Sequence, residues 1–340
     1  MPQQLSLHTP LDMHLHLRDG EMLHNIAKAS AHTFSGAVVM PNLVPPVTSR
    51  EELIAYKARI MEAIGDERFE PYMTLFFKPE YDKAFLESVR EEITAIKLYP
   101  AGITTNSEGG VSGFDVEELR PALTAMSDLG IPLCIHGETN GFVMDREAEF
   151  IPIYEKLATA FPDLKIIMEH ITTKESVEAL ERHPNLYATI TLHHLLITLD
   201  DVAGGMLQPH LFCKPIAKRP HDREALLSVA LKAHPKVMFG SDSAPHPREA
   251  KEACGCAAGV FTAPIALQVL AELFEKYHVL ENLQDFISGN ALRIYGVTPP
   301  AKEVILEKTP FVVPSDYNGV VPMYAGEEIA YSVKEVNLGE

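Results

Sequence analysis

Asp12-Met13-His14-Leu15-His16-Leu17-Arg18-Asp19-Gly20 is the stretch on which the fold of this chain turns. Residues 11–17 form a short apolar run, and on a strand His14 and His16, two positions apart, project to one face. Two imidazoles on one face can meet a single metal ion. The ordinary alternative is a pair of hydrogen-bonded histidines in a packed interior, and a two-residue repeat alone does not decide between them. The decision rests on what the rest of the chain brings to that face.

Seven more runs rich in Val, Ile, Leu and Phe follow, at residues 36–40, 72–77, 95–99, 132–136, 165–170, 186–191 and 237–242. Longer amphipathic stretches separate them, with helices expected at 50–64 (Thr48 and Ser49 as capping residues), 114–129, 174–182 and 222–233. Buried parallel strands joined by crossover helices have this pattern, and eight of them suit a closed α/β barrel, the (β/α)8 or TIM barrel. The long interval between the seventh and eighth runs contains Gly204-Gly205 and several prolines, and reads as a strand, a long loop and a helix. Residues 262–295 read as two more helices. The tail from 302 to 340 alternates enough to include short strands packed on the barrel. Too few residues precede the first strand for a strand-built accessory domain, so residues 1–340 are expected to form one domain.

Composition narrows the function classes. Hydrophobic residues make up 46% and charged residues 22% of the 340, the balance of a globular enzyme rather than a disordered or fibrous chain. The start lacks the basic segment and apolar run of a secretory leader, and no stretch of about 18 apolar residues occurs later, so neither export nor membrane spanning is expected. Cys134, Cys213, Cys254 and Cys256 are too few and too unevenly spaced for a disulfide framework, which fits a reducing cytoplasm. Cys254-Gly255-Cys256 has no second pair with which to form a structural zinc site, so both are expected as free thiols. A formal charge of −18 with no basic stripe argues against a nucleic-acid partner. The same field repels an anionic small substrate, so a few cations in the pocket must overcome it at short range.

Four further candidate metal ligands, Lys97, His136, His170 and Asp242, fall at or near the C-terminal ends of separate expected strands. In a (β/α)8 barrel those ends converge on one mouth, where active sites are built. Each has an ordinary alternative: Lys97 as a snorkelling or ion-paired lysine, His136 and His170 as buried histidines bonded to backbone, Asp242 as the cap of the following helix. Independent accidents would not all select strand ends, so the set taken together favours a metal centre.

In these segments the chain resembles the dihydroorotase branch of the amidohydrolase superfamily, in particular bacterial single-function members without a β-sandwich domain. The resemblance rests on Asp12 through Gly20 and on Gly240-Ser241-Asp242-Ser243-Ala244-Pro245-His246 continuing to Lys251. It is reinforced by Met40-Pro41-Asn42, Lys97-Leu98-Tyr99-Pro100, Thr104-Thr105-Asn106, Ile135-His136-Gly137-Glu138, Glu169-His170-Ile171-Thr172-Thr173 and Cys254-Gly255-Cys256-Ala257, and so covers nearly the whole chain. It implies a barrel of the metal-dependent hydrolase type. It implies reversible cyclisation of N-carbamoyl-L-aspartate to L-dihydroorotate with release of water, the third step of de novo pyrimidine biosynthesis. It further implies that His14, His16 and Asp242 hold the more buried of two metal ions and His136 and His170 the second, with Lys97 bridging them as N6-carboxylysine. A metal-bound hydroxide is then the nucleophile and Asp242 the general acid and base. Histidine and oxygen ligands without cysteine suit zinc, with manganese or cobalt as substitutes.

The same resemblance places Arg18, Asn42 and His246 around the substrate carboxylate, where a guanidinium fork is well suited. From the residues alone, Arg18 is also a candidate for a surface ion pair with Asp19. Thr104 and Thr105, on the loop after Lys97, are implied to reach over bound substrate and exclude water; without the resemblance that loop is an ordinary polar connection. The backbones of Lys214 and Ala257 are implied to hold the substrate ring, and Lys214 departs from the apolar residue common there. His193 and His194 are expected beside the ligands or the substrate rather than on metal. A homodimer follows from the family and from the frequency of two-fold assemblies. Two rival readings remain: another cyclic amidase such as a hydantoinase or allantoinase, against which Arg18, Asn42 and His246 argue, and a catalytically dead scaffold, which predicts missing ligands where all six are present.

Overall fold

The computed structural model describes residues 3–339. The eight expected strands form one parallel sheet in sequence order: β1 (Leu11–Leu15), β2 (Gly36–Val39), β3 (Glu70–Phe76), β4 (Ala95–Leu98), β5 (Leu133–Ile135), β6 (Ile166–Met168), β7 (Leu186–Ile190) and β8 (Val237–Phe239). Each stops short of the C-terminal end of its apolar run, because the last residues leave the ladder to build the mouth. The sheet closes into a (β/α)8 barrel through single contacts rather than a regular ladder. Asp242 N–H donates to His14 O (2.8 Å), His16 N–H to Ser243 O (3.2 Å), and Ser241 N–H to the buried Asp12 carboxylate (2.7 Å).

Side chains from alternate positions, among them Leu11, Met13, Val38, Met40, Ala95, Cys134, Ile167 and Met238, fill the barrel interior. A larger apolar layer lies between strands and helices. In β1 the alternation is interrupted. Asp12 pairs with Ala37 but Leu15 with Val39, so Met13 and His14 together face a single residue of β2. This bulge resets the parity: Met13 packs inside, yet His14 and His16 also turn inward, at the mouth.

Helices Arg50–Ile64 and Lys174–Arg182 match their expected bounds, and Val116–Asp128 and Pro220–Ala230 differ by a few residues. Ser49 caps the first of these in a reciprocal box with Glu52, each side chain accepting from the other's backbone N–H. Crossover helices Gly20–Ala31, Lys83–Val89 and Arg146–Ala160 lie outside the sequence expectation.

The interval after β7 contains no strand among the described residues, contrary to expectation. Thr191 Oγ1 accepts from His194 N–H and turns the chain directly into helix Leu192–Leu196, followed by Leu199–Ala203 and a 3-10 turn at Pro209–Leu211. Residues 262–295 give helix Ala266–Lys276 and, after a π turn at Asp285–Gly289, helix Asn290–Tyr295. In the tail, Lys302–Glu307 pairs antiparallel with Ser332–Leu338 on one side and with Gln4–His8 on the other. Gln4–His8 was not expected as a strand; its pairing partner lies almost a full chain length away. No described helix is long and apolar enough to cross a membrane.

Candidate active site

Strand ends bring the six candidate ligands together. Lys97 lies within β4, His14 within β1, and His16, His136, His170 and Asp242 just beyond β1, β5, β6 and β8. His170 and Asp242 have φ of 41° and 43°, a left-handed conformation that costs residues bearing a Cβ about 1–2 kcal/mol. Such strain concentrates where a side chain must be aimed.

His14 Nδ1 lies 2.6 Å from Glu169 Oε2, which holds the ring proton there and leaves Nε2 as an inward lone pair, buried and without a hydrogen-bond partner. That Nε2 is 3.5 Å from Asp242 Oδ1, and His16 Nε2 is 3.1 Å from the same oxygen. Opposite them, His136 Nε2 is 2.7 Å from Glu138 Oε2, and His136 Nδ1 faces His170 Nε2 at 3.1 Å. With the His136 proton held by Glu138, two imidazole nitrogens at this separation are spaced as ligands of one ion with arms of about 2.0–2.1 Å. Lys97 is wholly buried, and its Nζ has no partner apart from the face of Tyr99, 5.1 Å away.

Burial above all lowers the pKa of His14, His16 and His170, with the Lys97 charge adding to it, which favours the neutral form that can ligate. Burial pushes Asp242 up, opposed by His14 and Lys97. For Glu169, burial pushes upward but His14 and Lys97 outweigh it and hold the carboxyl at about 2. Imidazoles with inward-facing nitrogens, a carboxylate between two of them and a buried amine lacking an acceptor form a donor set that fits divalent cations; as a bare cluster the orphaned groups are costly.

The geometry also answers the ordinary alternatives. Lys97 has no ion-pair partner among the described residues. His136 bonds Glu138 rather than backbone. The helix after Asp242, Arg248–Lys251, begins after Pro247. Asp19 pairs with Arg59 at 2.8 and 2.9 Å, leaving Arg18 free of it.

Arg18, Asn42, Thr104, Thr105 and Lys214 line a small cavity above the cluster, together with Tyr99, Ala244, Ala258 and Gly259. Arg18 Nε donates to Pro245 O (3.1 Å), and its Nη2 lies 3.1 Å from His246 Nε2. His246 is therefore placed behind the guanidinium rather than in the wall. Asn42 Nδ2 donates to Thr105 O (3.0 Å), Asn106 Nδ2 to Asn42 O (3.0 Å) and Lys214 Nζ to Ile103 O (3.0 Å), so the threonine loop is fastened across the mouth. Ala257 stops one residue short of the wall: its N–H donates to Ala250 O and its carbonyl accepts from Lys251, while Ala258 takes the lining position. His194 bonds Thr191 and Pro215 O, and His193 is buried with both ring nitrogens unpartnered; neither lines the cavity. Sequence reasoning missed the roles of Glu138 and Glu169, although each stands within two residues of a candidate histidine.

A closed parallel barrel whose strand ends gather four histidines, a lysine and an aspartate defines a class, and the chain belongs to it: the amidohydrolase family, whose model matches residues 12–297. Relatives similar to it over the full length include dihydroorotases. That of Helicobacter hepaticus is 47% identical over 99% of this chain and 100% of its own length. A dihydroorotase crystal structure from Campylobacter jejuni is 58% identical, covers 98% of each chain and superposes with a TM-score of 0.94. The Saccharomyces cerevisiae dihydroorotase, crystallised with 5-fluoroorotic acid, is 34% identical with a TM-score of 0.91 over 98% of both chains.

Proposed function

We propose that this chain is a dihydroorotase, interconverting N-carbamoyl-L-aspartate and L-dihydroorotate plus water. The observation that carries the reading is the meeting, at one barrel mouth, of a buried His/Lys/Asp cluster with the Arg18 guanidinium above it. Full-length likeness to dihydroorotases supports the same reaction. Two zinc ions suit the donors: His14, His16 and Asp242 would hold one and His136 and His170 the other, and Lys97, carboxylated by carbon dioxide, would supply anionic oxygens to both. When bound, the ions polarise the amide carbonyl and lower the pKa of water.

The remaining work falls to the chain's own groups. Arg18, backed by His246, offers the substrate carboxylate a fork of donors, and Asn42 lies beside it. Asp242 takes the proton of the attacking water and returns it to the ring nitrogen as the amide C–N bond breaks. Ring closure is the same path reversed, with Asp242 accepting the proton of the ureido nitrogen. Thr104 and Thr105, fastened by Asn42 and Lys214, keep bulk water from the mouth. We further propose that residues 1–340 act as one domain, in a homodimer, in the cytoplasm; four unpaired cysteines suit a reducing compartment.

Purified protein is expected to convert N-carbamoyl-L-aspartate to L-dihydroorotate, to lose that activity on chelation and to regain it with zinc. Turnover of hydantoin or allantoin with none of dihydroorotate would reassign it as another cyclic amidase. Absence of both metal and turnover would point to a scaffold.

The carboxylate behind His14 has its own consequence. Glu169→Gln removes the charge that holds the proton on Nδ1, and metal affinity is expected to fall about 10–100-fold. A competition titration against a chromogenic chelator measures it, and unchanged affinity would reduce the contact to packing.

A further inference from the structure

Lys251 is buried to 3% exposure, yet it is neither a candidate ligand nor part of the cavity wall. Its Nζ donates to three carbonyls, Phe212 O at 2.9 Å, Ala257 O at 2.8 Å and Gly259 O at 2.7 Å. Three acceptors use all the protons of an ammonium, so its hydrogen-bonding capacity is spent on two loops that would not otherwise need a buried cation. Burial lowers its pKa to about 8. Gly259 N–H also donates to Phe212 O (2.9 Å), which locks the two loops together around the lysine.

The direction of those carbonyls fixes something else. The peptide joining Ala257 to Ala258 is trans, the cis bonds of the described chain being Val44–Pro45 and Lys214–Pro215. In a trans peptide the C=O and the following N–H point in opposite directions. With Ala257 O aimed at Lys251, the Ala258 N–H is aimed away from it. Ala258 lines the cavity as well as the neighbouring pocket walled by Pro209, Phe212 and Cys256, its carbonyl lies 3.0 Å from His246 Nε2, and its N–H makes no hydrogen bond among the described residues.

We propose that Lys251 is a positioning residue for substrate binding, holding the Ala257 carbonyl back so that the Ala258 N–H is presented to the cavity as a donor for an oxygen of the cyclic amide. This rests on the dihydroorotase reading of the same mouth. The donor is a backbone group and cannot be chosen by side-chain identity; its direction is set by where the carbonyl before it is anchored.

Lys251→Met keeps chain length and removes all three donors. It is expected to raise KM for dihydroorotate about tenfold, the loss of one hydrogen bond to substrate, with kcat changed less than about threefold and metal content unchanged. Hydrogen–deuterium exchange over residues 209–215 and 253–262 should accelerate while the barrel strands stay as they are. Ala258→Pro deletes the N–H and leaves Lys251 in place; it should raise KM similarly, and the double variant should be no worse than either single one. A wild-type KM in Lys251→Met, or effects that multiply in the double variant, would overturn the proposal. If Lys251→Met does not fold, Ala258→Pro decides alone, and a wild-type KM there overturns it. Should the wild-type protein fail to turn over dihydroorotate, the functional reading fails. The exchange experiment then still tests the lysine's hold on the loops, and unchanged exchange counts against it.

Discussion

Asparagine in place of Asp242 is expected to lower kcat by about ten-thousandfold, the upper end of what a positioned acid and base contributes. The upper end applies because one side chain serves both proton transfers, from water and to the ring nitrogen. The carboxylate is buried between two imidazoles, its Oδ1 3.1 Å from His16 Nε2 and 3.5 Å from His14 Nε2. An amide oxygen can occupy that place, so the cluster keeps an oxygen donor, but it cannot take up a proton at neutral pH. KM should move little, since the carboxylate-binding end of the pocket is formed by Arg18. Steady-state rates in both directions, with metal content measured on the same samples, check this. The loss must be equal in the two directions, because the same proton is taken and returned along one path. A metal-replete variant within tenfold of the wild type would remove Asp242 from proton transfer.

Lys97→Met should abolish more than about 99.9% of the activity and leave the protein short of metal, because methionine cannot supply the anionic oxygens that a two-ion cluster requires. The more discriminating result concerns stability without metal. In the wild-type protein Lys97 Nζ is buried with no acceptor, and an unpaired buried polar group costs roughly 1–3 kcal/mol. Methionine is close in length and apolar. It can pack against Tyr99 and Cys134 without that cost. Metal-free Lys97→Met is therefore expected to be more stable than metal-free wild type, by about 1 kcal/mol or more, whereas with zinc and bicarbonate the order reverses. Urea unfolding under both conditions measures it, and a metal-free variant less stable than its parent would show that the amine has a partner of its own.

Much of the fold was legible because a parallel barrel repeats one unit, and each buried strand announces itself as an apolar run. The strand ends carrying Lys97, His136, His170 and Asp242 could be placed at one mouth for the same reason. What escaped reading depends on exact backbone geometry. The bulge at Met13 and His14 is invisible in composition, although without it the two inward sets of β1 could not coexist. Ala257 and Ala258 are the same residue type, so only the fold tells which one reaches the wall. Glu138 and Glu169 were given no role because their function lies in which ring nitrogen they face, and that depends on the fold. The stretch after β7 misled because Thr191, a good strand residue, acts there as a helix cap.

The seam between the first and last barrel strands sets an order of events. Ser241 and Asp12, joined across it, are 229 positions apart in the chain. His14 and His16 are made long before Asp242, which meets them only after β8 has docked, and closing so long a loop is slow. Until then a nascent chain carries bare histidines, with no complete cage to capture a cation. Cofactor capture is a late event that coincides with cylinder closure, and a fragment ending before β8 would remain a collection of half-sites.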